Sequence, residues 1–296
     1  MKYVTFTAGT RTSAGLLRQD HVVDLGIAFF QSFKRPFKFE DVGEFLRADG
    51  PERIAKLDYK KIKDDPRCTL SLDAVRIRAP LLRPSKITCV GLNYRDHAAE
   101  QNKPVPDRPM LFAKAANTVI GPEEPILLPS DTSTQVDYEA ELAVVIGKEG
   151  YRIPKEAAPE HVFGYTIMND VTARDLQSGD KQWYRGKSFD TFAPMGPCIV
   201  TPDEIDPANL EISLTVNGEE RQKSSTSQLV FDVPALIAFV SNVFPLERGD
   251  VISTGTPGGV GVYRKPPVFL KKGDRVEIMI QGIGTLSNPV EERPAV

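Results

Sequence analysis

The segment Asp137-Tyr-Glu-Ala-Glu-Leu-Ala-Val-Val-Ile-Gly147 restricts the fold more than any other part of the chain. Its second half, Leu142 to Ile146, is a short apolar run closed by glycine, which reads as a buried strand. Side chains alternate faces along a strand, so Asp137, Glu139 and Glu141 are expected to share one face. Carboxylates gathered at the head of a buried strand lose hydration and repel one another. A cation, or a set of protons and hydrogen bonds, must compensate them, and a divalent metal is the simplest choice. The competing reading is a strand whose acids face solvent.

The rest of the chain can bury such a strand. It has 296 residues, 41% of them hydrophobic and 26% charged, enough for one large domain or a small one plus a large one. A small N-terminal domain over residues 1–75 and a catalytic domain over 76–296 are expected. In the first, Tyr3 to Ala8, Ala14 to Arg18 and His21 to Asp24 suggest a short meander. Helical patterns follow at Val42 to Ala48 and Pro51 to Leu57, and the charged stretch Lys60 to Pro66 reads as a linker or exposed loop. In the second, strands are expected at Lys86–Val90, Pro109–Lys114, Ala140–Ile146, Gly164–Asn169, Cys198–Thr201, Glu211–Val216, Asp250–Ser253 and Arg275–Ile280. Asn217-Gly218 suits a type I′ hairpin turn, and Lys272-Gly273-Asp274 reads as a second hairpin. Helices are expected at Ala173 to Asp180 and, capped by Asp232, at Val233 to Val243, with a short turn at Lys155 to Ala158. The 24 prolines and 22 glycines suit a β-rich body with long ordered loops. No Gly-x-Gly-x-x-Gly follows a strand, which argues against a nucleotide-binding doubly wound sheet.

A net charge of −3 gives no reason to expect nucleic acid or an anionic membrane as partner. Cys68, Cys89 and Cys198 are odd in number and far apart, which fits a reducing compartment. The N-terminus reads as an alternating strand rather than a leader, and no apolar run approaches the ~18 residues of a membrane span. A soluble cytoplasmic protein is expected.

Four further segments could carry chemistry. The apolar run Gly164-Tyr-Thr-Ile-Met-Asn-Asp170 ends in an acid. Glu139, Glu141 and Asp170 would form an all-oxygen site that favours Mg²⁺, Mn²⁺ or Ca²⁺ over Zn²⁺. In Asn93-Tyr-Arg-Asp-His97-Ala-Ala-Glu100, His97 and Glu100 stand three apart and would face the same way on a helical turn. They could form a proton-transfer dyad, or a routine surface contact. Pro104, Pro106 and Pro109 make the segment a loop, possible as a lid. Lys187 lies among aromatics in Trp183-Tyr-Arg-Gly-Lys187-Ser-Phe-Asp-Thr-Phe192, where it could hold a substrate carboxylate or merely snorkel. Thr254-Gly-Thr256-Pro-Gly-Gly-Val-Gly261 is either a carboxylate cradle or a plain turn. Gln177 is a polar candidate on the helix after Asp170.

In this order these motifs resemble the fumarylacetoacetate hydrolase (FAH) superfamily. The matching segments are Val90 to Glu100, Val136 to Gly147, Asn169 to Gln177, Gly186 to Phe192 and Ser253 to Gly261, within about residues 85 to 292. Glu100-Gln-Asn-Lys-Pro-Val-Pro106, Gln182-Trp183, Val216-Asn-Gly218 and Tyr263 to Gly273 are similar to the FAH-domain-containing protein 2 branch. The resemblance implies an α+β, β-rich fold, with a C-terminal mixed β-roll or barrel holding Mg²⁺ or Mn²⁺ and a small α/β N-terminal domain. It implies Glu139, Glu141 and Asp170 as metal ligands, His97 and Glu100 as the lid dyad, and Lys187 as a catalytic cation. Gln177, Thr256 and Arg95 are expected to bind substrate, a small 2-oxo acid, and a homodimer is implied. The implied chemistry is stabilisation of an enolate, from which tautomerisation of oxaloacetate, hydrolysis of an acylpyruvate C–C bond and decarboxylation of oxaloacetate all branch. A non-catalytic binder of metal or 2-oxo acid is the reading of a different class. In each, Asp137 becomes a supporting acid rather than a ligand.

Overall fold

In the computed structural model the strand Ala140–Ile146 lies at the centre, and every one of its residues is buried. Residues 1–57, 62 and 65–294 are described, so most of the stretch Lys60 to Pro66 lies outside the described residues. Leu142, Val144 and Ile146 face one apolar cluster, which they share with Leu214, Ile278 and Leu286 and with Leu236 and Val240 of the helix Val233–Ser241. Ala143 and Val145 face a second, which contains Phe29, Phe45 and Leu46 from the N-terminal part. A strand covered on both faces needs no polar alternation, and this is why its sequence is a continuous apolar run.

The architecture is β-rich α+β with mixed sheets and few helices. The long sheet runs in the order Thr69–Ser71, His21–Asp24, Arg11–Leu17, Lys2–Ala8, Ala193–Val200, Val162–Asn169, Ala140–Ile146, Val251–Ser253, Ile87–Gly91 and Met110–Lys114. Its pairs are antiparallel except where Val251–Ser253 runs parallel to Ile87–Gly91 and Ala193–Val200 parallel to Val119–Ile120. Among the described residues this sheet is open rather than closed into a barrel. The N-terminal strands belong to it, because Lys2 and Tyr3 pair with Val200 and Ile199. A five-stranded sheet, Glu219–Ser225, Glu211–Val216, Arg275–Ile280, Gly284–Glu292 and Ile126–Leu128, packs over one face. A two-stranded ribbon joins Val136–Asp137 to Thr172–Ala173, bringing together the two segments that carry the acids.

The Asn217-Gly218 hairpin forms as expected, with φ of 55° and 77°, the positive pair that a type I′ turn requires. Asp232 caps the helix Val233–Ser241 by accepting from the Ala235 N–H at 2.8 Å. Lys272-Gly273-Asp274 is a turn but not a hairpin, since no strand precedes it. The strand expected at Cys198–Thr201 begins earlier, at Ala193. Pro194, Gly196 and Pro197 hide its first half, because proline lacks a ladder donor and glycine weakens a strand pattern. The helix Leu25–Phe33, capped by Asp24, was not expected. No helix among the described residues is long and apolar enough to cross a membrane.

Where Val162–Asn169 passes Ala193–Val200 the register shifts, and Gly164 admits the neighbouring backbone. A Cβ there would stand 2.4 Å from the Val200 carbonyl oxygen. Gly164→Ala is expected to destabilise the protein by about 1–3 kcal/mol, read as a lower urea midpoint at unchanged slope. Gly179→Ala, on an exposed helical turn with open space around it, is the control and should stabilise by about 0.5–1 kcal/mol. Equal midpoints for the two variants would contradict the packing argument.

Candidate metal centre and active site

Glu139, Glu141 and Asp170 each place a carboxylate oxygen within 4.8 Å of the others, and all three residues are buried. Pairing of Ala140–Ile146 with Val162–Asn169 sets this distance, since Ala140 lies opposite Asn169. The Asn169 side chain accepts from the Glu139 N–H at 3.0 Å, and the Asp170 N–H donates to the Glu139 carbonyl at 2.9 Å. Glu139 and Asp170 therefore sit just beyond strand ends, and Glu141 lies on the second residue of Ala140–Ile146, paired with Met168.

Three buried cations answer the acids. The Lys187 ammonium lies 2.7 Å from both Glu139 and Asp170. Lys114 donates to the other Asp170 oxygen at 2.7 Å and to the Val171 carbonyl at 3.0 Å. Arg174 lies 2.6 Å from Glu139 and donates to Asp137 at 2.8 Å and to Gln177 at 3.0 Å. Burial alone would raise the Glu139 carboxyl, but the charges of Lys187 and Arg174 hold it at about 2. Burial alone would lower Lys187, and Asp170 and Glu139 outweigh it, so the lysine stays charged. Lys114 is pushed down, first by burial, with Lys187 adding repulsion against the pull of Asp170.

Glu141 is different. Among the described residues its only donors are neutral: the Ser253 hydroxyl and the Gly255 N–H at 3.0 Å. Burial, then the charges of Asp170 and Glu139, push its carboxyl well above the usual range. Counting Asp137, among the described residues four carboxylates face three cations, and Glu141 is the one left without a partner charge. A hard divalent cation between Glu139, Glu141 and Asp170 would reverse the repulsion that raises it, and the all-oxygen donor set suits such a cation. The residues present fit the metal.

Asp137 does not join this cluster. Its carboxylate accepts from the N–H groups of Gly261 and Val262 at 2.8 and 3.0 Å, and from Arg174. It ties the glycine-rich turn to the acidic strand and orients the arginine.

The cluster forms the floor of a cavity of about 250 Å³, with Arg174, Gln177, Lys187 and Thr256 beside Glu139 and Glu141. Thr256 is held by the buried Gln222 amide, which donates to its hydroxyl at 2.9 Å and to the Pro257 carbonyl at 2.8 Å. The same Gln222 accepts from the Ala140 N–H at 2.9 Å, between the two glutamates. The opposite wall is the short helix Arg95–Glu100, which brings His97 into the cavity. His97 Nδ1 lies 3.0 Å from Glu100, and Nε2 lies 2.8 Å from the Gln101 amide. The helix is docked, because Glu100 accepts from the Gly259 N–H at 2.9 Å and Asp96 accepts from the Ser224 hydroxyl at 2.5 Å.

Eight of the nine expected site residues therefore meet at one place. Arg95 does not. It points away from the cavity, donating to the Leu229 carbonyl at 2.7 Å, because it starts the helix on the face opposite its neighbour pair His97 and Glu100. Its expected contact with substrate is corrected to an anchor of the lid helix. Sequence reasoning missed Lys114, Arg174, Gln222, Gln101 and Lys103. Lys114 ends an apolar strand as Asp170 does, a signal that could have found it. Arg174 lay inside a matched segment without being singled out. Gln222 sits in the polar strand Glu219–Ser225 and had no signal.

A mixed sheet carrying a buried, cation-seeking carboxylate triad under a histidine lid defines a metal-site fold of acid chemistry. A family model for the fumarylacetoacetate (FAA) hydrolase C-terminal domain matches residues 86–291, and the chain belongs to this family. It is 52% identical over 234 residues to the mitochondrial oxaloacetate tautomerase fahd2 of Xenopus laevis, covering 78% of this chain and 73% of that one. It is 43% identical to the oxaloacetate tautomerase YisK of Bacillus subtilis, covering 98% and 100%. Among solved structures, a fumarylacetoacetate hydrolase from Exiguobacterium antarcticum matches with a TM-score of 0.85 and 41% identity, over 99% of this chain and 100% of that one. A maleylpyruvate hydrolase from Sphingobium sp. SYK-6, in complex with manganese (II) ion and pyruvate, matches with a TM-score of 0.79 and 31% identity over the same shares. Within the superfamily the chain lies in the FAH-domain-containing protein 2 branch.

Glu141→Ala is expected to lower Mg²⁺ and Mn²⁺ affinity at least about 100-fold, measured by calorimetry, with the thermal midpoint retained or raised because a buried charge conflict is removed. Since the raised carboxyl keeps its proton to higher pH than an ordinary glutamate, a binding cation must displace that proton. Wild-type metal affinity should therefore rise with pH through and above the ordinary carboxylate range. Retention of full metal affinity by the variant would refute Glu141 as a ligand.

Proposed function

We propose that the chain is a divalent-metal-dependent enzyme that interconverts the keto and enol forms of oxaloacetate. The observation that carries this reading is the geometry of the cavity: a His–Glu pair faces a buried lysine across a small space whose floor is one positive charge short. Its similarity to relatives named as oxaloacetate tautomerases over nearly the whole chain supports it.

Glu139, Glu141 and Asp170 would hold Mg²⁺ or Mn²⁺, which would supply Lewis-acid polarisation of the 2-oxo group. Lys187, kept charged by Glu139 and Asp170, places a fixed cation where the 2-oxo oxygen gains negative charge. Gln177 and the Thr256 hydroxyl, both on the cavity wall, orient the neighbouring carboxylate. Glu100 accepts from His97 Nδ1–H, which leaves the Nε2 lone pair free to act as base once substrate displaces the Gln101 amide; this tautomer is assigned from the hydrogen bonds. His97 takes the proton from C3, one C–H bond breaks, and the same proton is delivered to the 2-oxo oxygen as an O–H bond. Nothing is gained or lost, and the docked lid keeps water from the developing charge. The reading includes the homodimer that the resemblance implies, checked by light scattering, and a cytoplasmic location, with which three buried free cysteines agree.

The test follows enol absorbance of oxaloacetate with Mg²⁺, Mn²⁺ or chelator, together with product analysis. Metal-dependent acceleration without pyruvate formation is expected, and His97→Ala should lower kcat about 100-fold or more while leaving metal affinity within about twofold. Release of pyruvate from oxaloacetate would shift the assignment to decarboxylation. Release of pyruvate from acetylpyruvate would shift it to hydrolysis, the outcome that likeness to the maleylpyruvate hydrolase favours. Tight binding with no turnover of either compound would sink the enzyme reading.

A further inference from the structure

We propose that Lys103 is a specificity-determining residue, the lid cation that receives the distal carboxylate of a dicarboxylic 2-oxo acid. This rests on the function proposed above and assigns the substrate class to one side chain.

The argument is an account of charges in the cavity. Three cationic side chains other than His97 line it: Lys103, Arg174 and Lys187. Lys187 is engaged by Glu139 and Asp170, and Arg174 by Asp137, Glu139 and Gln177. Among the described residues the Lys103 side chain has no hydrogen-bond or ion-pair partner. A cation that lines a site whose other cations are already paired is free to meet a charge brought by the ligand.

Its position is set by the backbone. The lid helix Arg95–Glu100 ends with Asn102 in the left-handed conformation, φ 52°. The Lys103 N–H donates back to the Ala98 carbonyl at 3.0 Å, and the Asn102 N–H to the Ala99 carbonyl at 3.0 Å. This double return is a Schellman motif, which locks the residue after the turn onto the last helical turn. Lys103 therefore travels with His97 rather than with the proline-rich loop that follows.

The chemistry of the substrate supplies the direction. The carboxylate and 2-oxo groups of such an acid belong at the carboxylate floor, with Gln177 and Thr256. The proton to be moved is on C3, so His97 must lie over C3. The distal carboxylate is attached to C3 and must leave the floor on the lid side. A monocarboxylic 2-oxo acid presents nothing to Lys103, whereas a dicarboxylic one completes an ion pair only when the lid is docked. The lysine thus couples recognition of the second carboxylate to placement of the base.

The test compares wild type, Lys103→Met and Lys103→Arg with Mg²⁺, using oxaloacetate and pyruvate, which share the 2-oxo-carboxylate end and differ in the distal carboxylate. Lys103→Met, which keeps the stem and removes the charge, should raise KM and calorimetric Kd for oxaloacetate about tenfold, and leave pyruvate Kd within about twofold. Lys103→Arg should restore most of the oxaloacetate affinity. The wild-type KM for oxaloacetate should rise with ionic strength more steeply than that of Lys103→Met. Equal weakening of oxaloacetate and pyruvate, or an unchanged oxaloacetate Kd in Lys103→Met, overturns the proposal. If wild type binds oxaloacetate without converting it, the tautomerase reading falls while the Lys103 comparison is still decided by binding; if it binds neither acid, both fall.

Discussion

Burial of the Glu139, Glu141 and Asp170 carboxylates, with Asp137 buried beside them, is the constraint on which the rest of the structure depends. An isolated ionised carboxylate in an apolar interior would cost far more than a domain's net stability. The fold meets this by assembling Lys114, Lys187 and Arg174 from three separate segments and directing each to at least two acceptors. Buried ion pairs of this sort add little to stability compared with apolar packing. Their persistence here is explained by what they hold in place: Glu139 ionised, Lys187 charged, and Glu141 left as the acid that calls for a cation.

The sheet makes this possible by covering the acidic strand on both sides. The five-stranded sheet and the helix Val233–Ser241 close one face, while the N-terminal helices and their phenylalanines close the other. The acids lie where the ladder ends, so their side chains leave the apolar layers for the cavity. Gln222 and Asp137 then bind the glycine-rich turn to that same point, one through Thr256 and Ala140, the other through Gly261 and Val262. The floor, the turn and the lid that docks on Gly259 are in this way held to one reference, the break between Asp137 and Ala140.

What could be read from the sequence were features carried by local pattern. Ala140–Ile146, Glu211–Val216 and Arg275–Ile280 have the bounds their hydrophobic patterns suggest, and Asn217-Gly218 turns as its composition demands. The triad was legible because strand alternation places Glu139 and Glu141 on one face and an apolar strand ends at Asp170. Features that depend on three-dimensional crossing were not legible. Gln222 reaches the metal strand only because the five-stranded sheet folds over it. Arg95 reads like a substrate arginine until the helix orientation turns it toward Leu229. The first half of Ala193–Val200 is concealed by its prolines and glycine, which pack tightly where tertiary contacts override local preference.

The division of labour within the cavity follows from these supports. The floor is rigid, since each of its charged groups is buried and doubly held, and it is suited to the part of the substrate that all 2-oxo acids share. The lid is attached by fewer bonds: Asp96 to Ser224 and Gly258, Glu100 to Gly259, and Arg95 to a carbonyl. Segments with few buried apolar contacts open at lower free energy than the core, so under the proposed function these contacts, and not the triad, are the ones to be released as substrate enters. His97 and the end of the Schellman turn belong to one hydrogen-bonded piece, so in the proposed reaction the proton-transfer group and the surface meeting the variable end of the substrate would arrive together. In the proposed reaction the floor would set affinity for the end that all 2-oxo acids share, while the lid would add affinity for a second carboxylate through Lys103 and bring His97 to C3.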